Sequence, residues 1–122
     1  MNKNVLKIPE LLIKQTIQSG EFPEAIRKAS DLVAIIMTQD WCPQWDYMQD
    51  WISLLNDREG LSIYLIIYNQ EPYFQEFMNF KETVFNNLMV PYVRYYRDGA
   101  LIRESNYVSK DLFLMNLGLQ NK

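Results

Sequence analysis

The stretch Leu32-Val33-Ala34-Ile35-Ile36-Met37-Thr38-Gln39-Asp40-Trp41-Cys42-Pro43-Gln44-Trp45 decides the reading of this chain. Residues 32–37 are apolar at consecutive positions, the pattern of a strand covered on both faces. A short polar loop follows. Then Trp45, Met48, Trp51, Ile52, Leu54 and Leu55 recur at helical spacing over about 43–56, with Asn56-Asp57 and Gly60 as the stop. Pro43 suits the first helical position, where a missing N–H costs nothing. Cys42 therefore opens a helix directly after a buried strand. The N–H groups of a helix start are unpaired and carry partial positive charge, which favours the thiolate, the reactive form of cysteine. Asp40 and Asp46 act in the opposite sense if they lie close. A lone cysteine is also often a small buried hydrophobe. On position alone, activated nucleophile and buried filler both stand.

Outward from this segment, the pattern alternates. Pro9 leads a helix over 9–19 that Gly20 ends, and 23–29 reads as a shorter helical piece. Downstream, residues 61–68 form a second apolar, β-rich run. Residues 72–88, rich in phenylalanine, read as one or two helical pieces that belong mainly to the core. Any exposed part of them would supply a surface for a homodimer or a partner. Pro91–Tyr96 is a strand, Arg97-Asp98-Gly99 a hairpin turn, and 100–104 the return strand. Ser109 can cap a last helix over 110–118. The sequence predicts a single α/β domain over 1–122, with residues 1–22 as a helical extension. Its central mixed β-sheet has about four strands, ends in an antiparallel hairpin and is flanked by helices on both faces.

Composition removes whole classes of chemistry. The 122 residues contain no histidine, so no Ser-His-Asp triad, no Cys-His pair and no histidine-ligated metal. One cysteine allows neither an internal disulfide nor a Cys-rich zinc site. None of the four glycines sits in a phosphate-binding loop. No metal or resident cofactor is implied. With 12 basic and 15 acidic residues the net charge is −3, which disfavours nucleic acid. Tyr92, Arg94 and Tyr96 do alternate as aromatic and basic residues, but on a strand that helices should cover. A guanidinium there needs an acidic partner or the sheet margin. No run of about 18 apolar residues predicts a membrane span. The apolar run after the basic start is broken by Pro9, Glu10, Lys14 and Gln15, unlike a signal-peptide core. A lone thiol suits a reducing compartment, so the expected location is cytoplasmic.

Two separated motifs resemble one known family. Trp41-Cys42-Pro43 after an apolar strand resembles the Trp-Cys-Gly-Pro-Cys segment of thioredoxins. About fifty residues later, Val90-Pro91 followed by 92–102 resembles their cis-proline segment, strand, turn and final strand, and Ser109-Lys110-Asp111-Leu112 the start of their last helix. The resemblance covers roughly residues 23–119 and implies a thioredoxin-like fold. It implies that Cys42 is the attacking nucleophile and that Pro91 is the cis-proline beside it. The Val90 backbone would be free to pair with an extended substrate. Trp41, Pro43, Trp45, Val90 and Pro91 would make up the substrate-binding surface, with Trp45 otherwise a core residue of its helix beside Met48 and Ile52.

The departures from the family pattern are chemical. The second cysteine of the motif is Trp45 here, so an intramolecular dithiol cycle is impossible. The family's buried acid is Ile36, and its lysine in the next strand has no counterpart in 63–67. A peroxidase reading also fails, because Thr38 stands one residue too far upstream. Two functions remain. One is monothiol thiol-disulfide exchange, with glutathione as a co-substrate or a protein partner held through a mixed disulfide. The Cys42-Pro43-Gln44-Trp45 motif lacks the Cys-Gly-Phe-Ser of monothiol glutaredoxins, so no iron–sulfur role carries over. The other is a non-catalytic module that docks a protein or peptide in a groove at Trp41, Trp45 and Pro91.

Overall fold

The computed structural model describes residues 5–55 and 58–119. The basic start at residues 1–4 and the helix stop read at Asn56-Asp57 lie outside the described residues. The described chain runs β1 (Val5–Leu6), α1 (Glu10–Ser19), α2 (Glu24–Arg27), β2 (Leu32–Thr38), α3 (Pro43–Ile52), β3 (Leu61–Ile67), α4 (Phe74–Thr83), β4 (Tyr92–Arg97), β5 (Ala100–Ser105) and α5 (Lys110–Asn116). Short 3-10 turns follow α3 (Ser53–Leu55) and β3 (Tyr68–Gln70). The strands form one mixed sheet in the order β1-β3-β2-β4-β5. β2 and β3 are parallel, whereas β4 runs antiparallel to both β2 and β5.

The consecutive apolar residues of β2 have the predicted cause: the strand is central and each face has its own core. Val33, Ile35 and Met37 pack with Ile13, Ile26, Phe77 and Phe80 on the face covered by α1, α2 and α4. Ala34 and Ile36 pack with Trp45, Met48, Ile52 and Phe113 on the face covered by α3 and α5. A two-residue period along the strand thus serves two cores at once.

Local chemistry sets the element ends. Gly20 closes α1 in the left-handed conformation at φ 91°. Asp98 (φ 51°) and Gly99 (φ 86°) supply the two positive-φ positions of the β4–β5 hairpin. The Ser109 hydroxyl accepts the Leu112 N–H at 3.3 Å and caps α5.

Three expectations are corrected. The sheet has five strands rather than about four. The additional one, β1, pairs in parallel with β3 through Val5↔Ile63 and Leu6↔Tyr64, and two residues are too short to show a period. Residues 5–22 are not an extension either: Ile8, Ile13 and Phe22 are buried in the core beneath α4, and Lys14 meets Glu76 of α4 at 2.6 Å. The helix read over 43–56 ends earlier, at Ile52, and tightens into the 3-10 turn.

Candidate functional site

Parallel pairing brings the C-terminal ends of β2 and β3 to one edge, and the loops that leave them build the site. After Thr38 the chain turns through Gln39–Trp41 and enters α3, with Cys42 as N-cap and Pro43 at the first helical position. Side chains pin this loop to the turn after β3. The Asp40 N–H donates to Asn69 Oδ1 (3.0 Å), and Asp40 accepts from Asn69 Nδ2 (2.8 Å) and Gln70 Nε2 (3.0 Å). These hydrogen bonds hold the Asp40 carboxyl below the usual range for aspartate. They also commit its charge to the β3 side of the loop. Gln39 donates to the Tyr68 hydroxyl at 3.3 Å and accepts the Trp41 indole N–H at 2.8 Å. Burial raises the Tyr68 phenol above its ordinary range.

The Cys42 thiol faces the segment before β4. Its Sγ donates to the Val90 carbonyl at 3.7 Å, across 48 residues of sequence. The Val90–Pro91 peptide bond is cis. Val90 packs against both cores and Pro91 is buried. Cys42 itself is 3% exposed. The surface around it is apolar: Trp41 is 61% exposed, and Leu88 and Met89, just ahead of Val90, are 76% and 60% exposed. A cavity of about 210 Å³ lined by Val5, Leu6, Lys7, Leu65, Ile67, Gln70 and Glu71 lies at the β1 edge and does not include Cys42.

The sequence-predicted residues fall into two groups. Cys42, Trp41, Pro43, Val90 and Pro91 converge on this edge, with Trp41 and Pro43 on the surface. Trp45 does not join them there. It is 3% exposed and packs with Met48 and Ile52 beneath the sheet. With Cys42 as cap, residues 45, 48 and 52 share one stripe of α3, and that stripe faces the core. Trp45 as a wall of the binding groove is therefore corrected to a core residue. Sequence reasoning missed Asn69, Gln70, Asn87 and Asn106, whose side-chain to side-chain bonds span 19 to 30 residues of the chain. Polar residues directly after an apolar strand, as at Asn69-Gln70, were the one available signal.

Solved structures with a similar fold include thioredoxin f from spinach chloroplast, at TM-score 0.65 and 17% identity over 94% of this chain and 91% of that one. Thioredoxin f2 from Chlamydomonas reinhardtii matches at TM-score 0.64 and 16% identity, over 97% and 99% of the two chains. The chain has the thioredoxin fold. A mutated buckwheat glutaredoxin, at TM-score 0.52 and 14% identity over 90% of each chain, shares this thioredoxin-like architecture more distantly. No family model matches the sequence, and no curated protein matches it.

Arg94 finds the partner that its position demands. It is buried on β4, donates to Glu21 at 2.9 Å and to the Tyr96 and Tyr92 hydroxyls at 2.8 and 2.9 Å, and lies 3.9 Å over the Phe85 ring. The covered strand leaves no aromatic-basic platform, because Tyr92 and Tyr96 are fully buried. Among the described residues no group of three acidic or thiol side chains could hold a metal ion, and no helix is long and apolar enough to cross a membrane.

Proposed function

We propose that this protein is a redox protein of thioredoxin fold that works through one thiol, Cys42, by monothiol thiol–disulfide exchange. The observation that carries the reading is the meeting of the Cys42 thiol, at the start of α3, with the Val90 carbonyl beside Pro91. In the first step the Cys42 thiolate attacks one sulfur of a partner disulfide. A Cys42–partner disulfide forms, and the other partner sulfur leaves as thiolate and takes up a proton. Cys42 is the chain's one cysteine, so an external thiol must attack the mixed disulfide next. That attack returns Cys42 to the thiol and carries the partner sulfur away in a new disulfide. Glutathione suits the external role, and a reducing compartment such as the cytoplasm would supply it. The Cys42 thiolate is the nucleophile of the first step and the leaving group of the second.

Incubation with oxidised glutathione followed by intact-mass measurement tests the step. One glutathionyl group should add to the native protein and none to Cys42→Ser. Reduced glutathione should then remove it. A native protein that takes up no glutathionyl group refutes the reading.

A second reading rests on the 3% exposure of Cys42 beneath an apolar rim. There the fold would serve as a docking module, with Trp41, Leu88 and Met89 holding an extended peptide or protein segment. Partner binding that survives Cys42→Ser but not Trp41→Ala would favour it.

A further inference from the structure

The segment that carries Val90 to Cys42 exposes Leu88 and Met89 and is tied down by amides beside the packing of Val90. Asn87 and Asn106 pair amide to amide. Asn106 Nδ2 donates to Asn87 Oδ1 at 2.9 Å, and Asn87 Nδ2 donates to Asn106 Oδ1 at 3.2 Å. Asn106 Nδ2 also donates to the Pro91 carbonyl at 3.0 Å. The Met89 N–H donates to Asn87 Oδ1 at 3.1 Å. Behind the pair, the buried Lys81 ammonium donates to the Asn87 carbonyl at 3.0 Å, and the Asn87 N–H donates back to the Lys81 carbonyl at 3.3 Å. The loop is thus tied at Asn87, Met89 and Pro91, on both sides of Val90, and the Val90 carbonyl is left for the thiol.

We propose that the Asn87–Asn106 amide pair is a positioning device that sets how closely Val90 covers the Cys42 thiol, and so how readily an incoming disulfide reaches the sulfur. The proposal rests on the reading of Cys42 as the working thiol. Asn87 and Asn106 are positioning residues and touch no reacting atom. Asn106 directly follows β5 and Asn87 lies in the loop after α4, so the pair joins two connections across the β4 segment that approaches the sulfur. Each side chain makes three hydrogen bonds: Asn106 Nδ2 serves two acceptors and Asn87 Oδ1 accepts two donors, beside the bond from Asn87 Nδ2 to Asn106 Oδ1. A single truncation therefore releases the loop at more than one point.

The test is the rate at which iodoacetamide alkylates Cys42 in the folded protein. Asn106→Ala should raise that rate about tenfold, equivalent to about 1.4 kcal/mol of lost restraint. Asn87→Ala should do the same, and the double variant should gain little more, as expected of two groups acting as one unit. Ile26→Val, which loosens the opposite core, should leave the rate unchanged. If Asn106→Ala does not fold, Asn106→Gln and Lys81→Met are read in its place. An unchanged alkylation rate in the folded amide variants, or an equal rise in Ile26→Val, overturns the proposal. Exchange with oxidised glutathione is measured in parallel. Failure of that exchange in the native protein removes the catalytic reading, while the alkylation ratios still decide the positioning claim.

Discussion

Lys81 offers the sharpest energetic prediction because it is a buried cation with no carboxylate of the described residues within ion-pair distance. It has no exposed surface, and its ammonium donates to the Asn87 carbonyl and lies 5.8 Å from the Tyr92 ring centroid. Burial, opposed in part by Glu82, pushes its pKa down from 10.5 to about 8. Between those two values the unfolded chain holds a proton that the folded chain has lost, so stability rises with pH across that window. The penalty is fully present below about pH 8 and gone above about pH 10.5. Linkage with these values gives the native protein a gain of roughly 2–3 kcal/mol between about pH 7 and about pH 10, relative to a variant without the amine. Lys81→Met is that variant. At neutral pH its own shift is smaller, because relief from ammonium burial is offset by an unsatisfied Asn87 carbonyl, at about 1–3 kcal/mol. The discriminating quantity is the slope, read from urea unfolding of both proteins across this range. The buried tyrosines titrate alike in both and cancel. A stability difference that stays flat with pH would refute the reasoning, because it would place the Lys81 ammonium in water.

The other predictions concern single side chains. Trp45→Ala should cost about 3–5 kcal/mol in chemical denaturation, as a buried aromatic does, while exposed Trp41→Ala should stay within about 0.5 kcal/mol. Equal effects would undo the division of roles between the two tryptophans. Glu21→Ala should cost about 2 kcal/mol, because it leaves the buried Arg94 guanidinium and the Tyr96 hydroxyl short of an acceptor. Glu104→Ala should cost less, since Glu104 is more exposed and lies 3.7 Å from Arg94. Ser109→Ala should remove about 1 kcal/mol through loss of the α5 cap, visible as an earlier thermal midpoint.

What the sequence made legible follows the range of the forces involved. The covered strand β2, the helix start at Cys42-Pro43, the Asp98-Gly99 turn and the Ser109 cap depend on neighbouring residues, and all are present. Boundaries set by tertiary packing were less accessible. β1 exists because Val5 and Leu6 find the open edge of β3, a partner almost sixty residues away that a two-residue strand cannot announce. The side taken by Trp45 depended on the phase of α3, and the stripe shared with Met48 and Ile52 settles it. At Arg94 the need for a partner was readable from a charge on a covered strand, but its identity was not, since Glu21 lies 73 positions away. The burial of Lys81 was not read from the sequence, since it follows from the loop that folds back over the end of α4.

The same contrast separates the shell of the site from its centre. Cys42 was visible through its place before a helix, and Val90-Pro91 through its resemblance to a known segment. The polar ties that hold both, Asp40 to Asn69 and Gln70, and Asn87 to Asn106, join residues with no sequence relation. They fix the two loops so that the thiol and the Val90 carbonyl meet at one edge of the sheet, where β2 ends and β4 begins.

The central claim is that Cys42 is a working thiol set up by the fold. Its most direct test compares the rate of exchange of Cys42 with a small neutral aromatic disulfide in the native protein and in the same protein unfolded in urea. The account predicts faster exchange in the native state, where the fold sets the sulfur beside the Val90–Pro91 segment. A thiol that stays inert in the folded protein and reacts only on unfolding would contradict it.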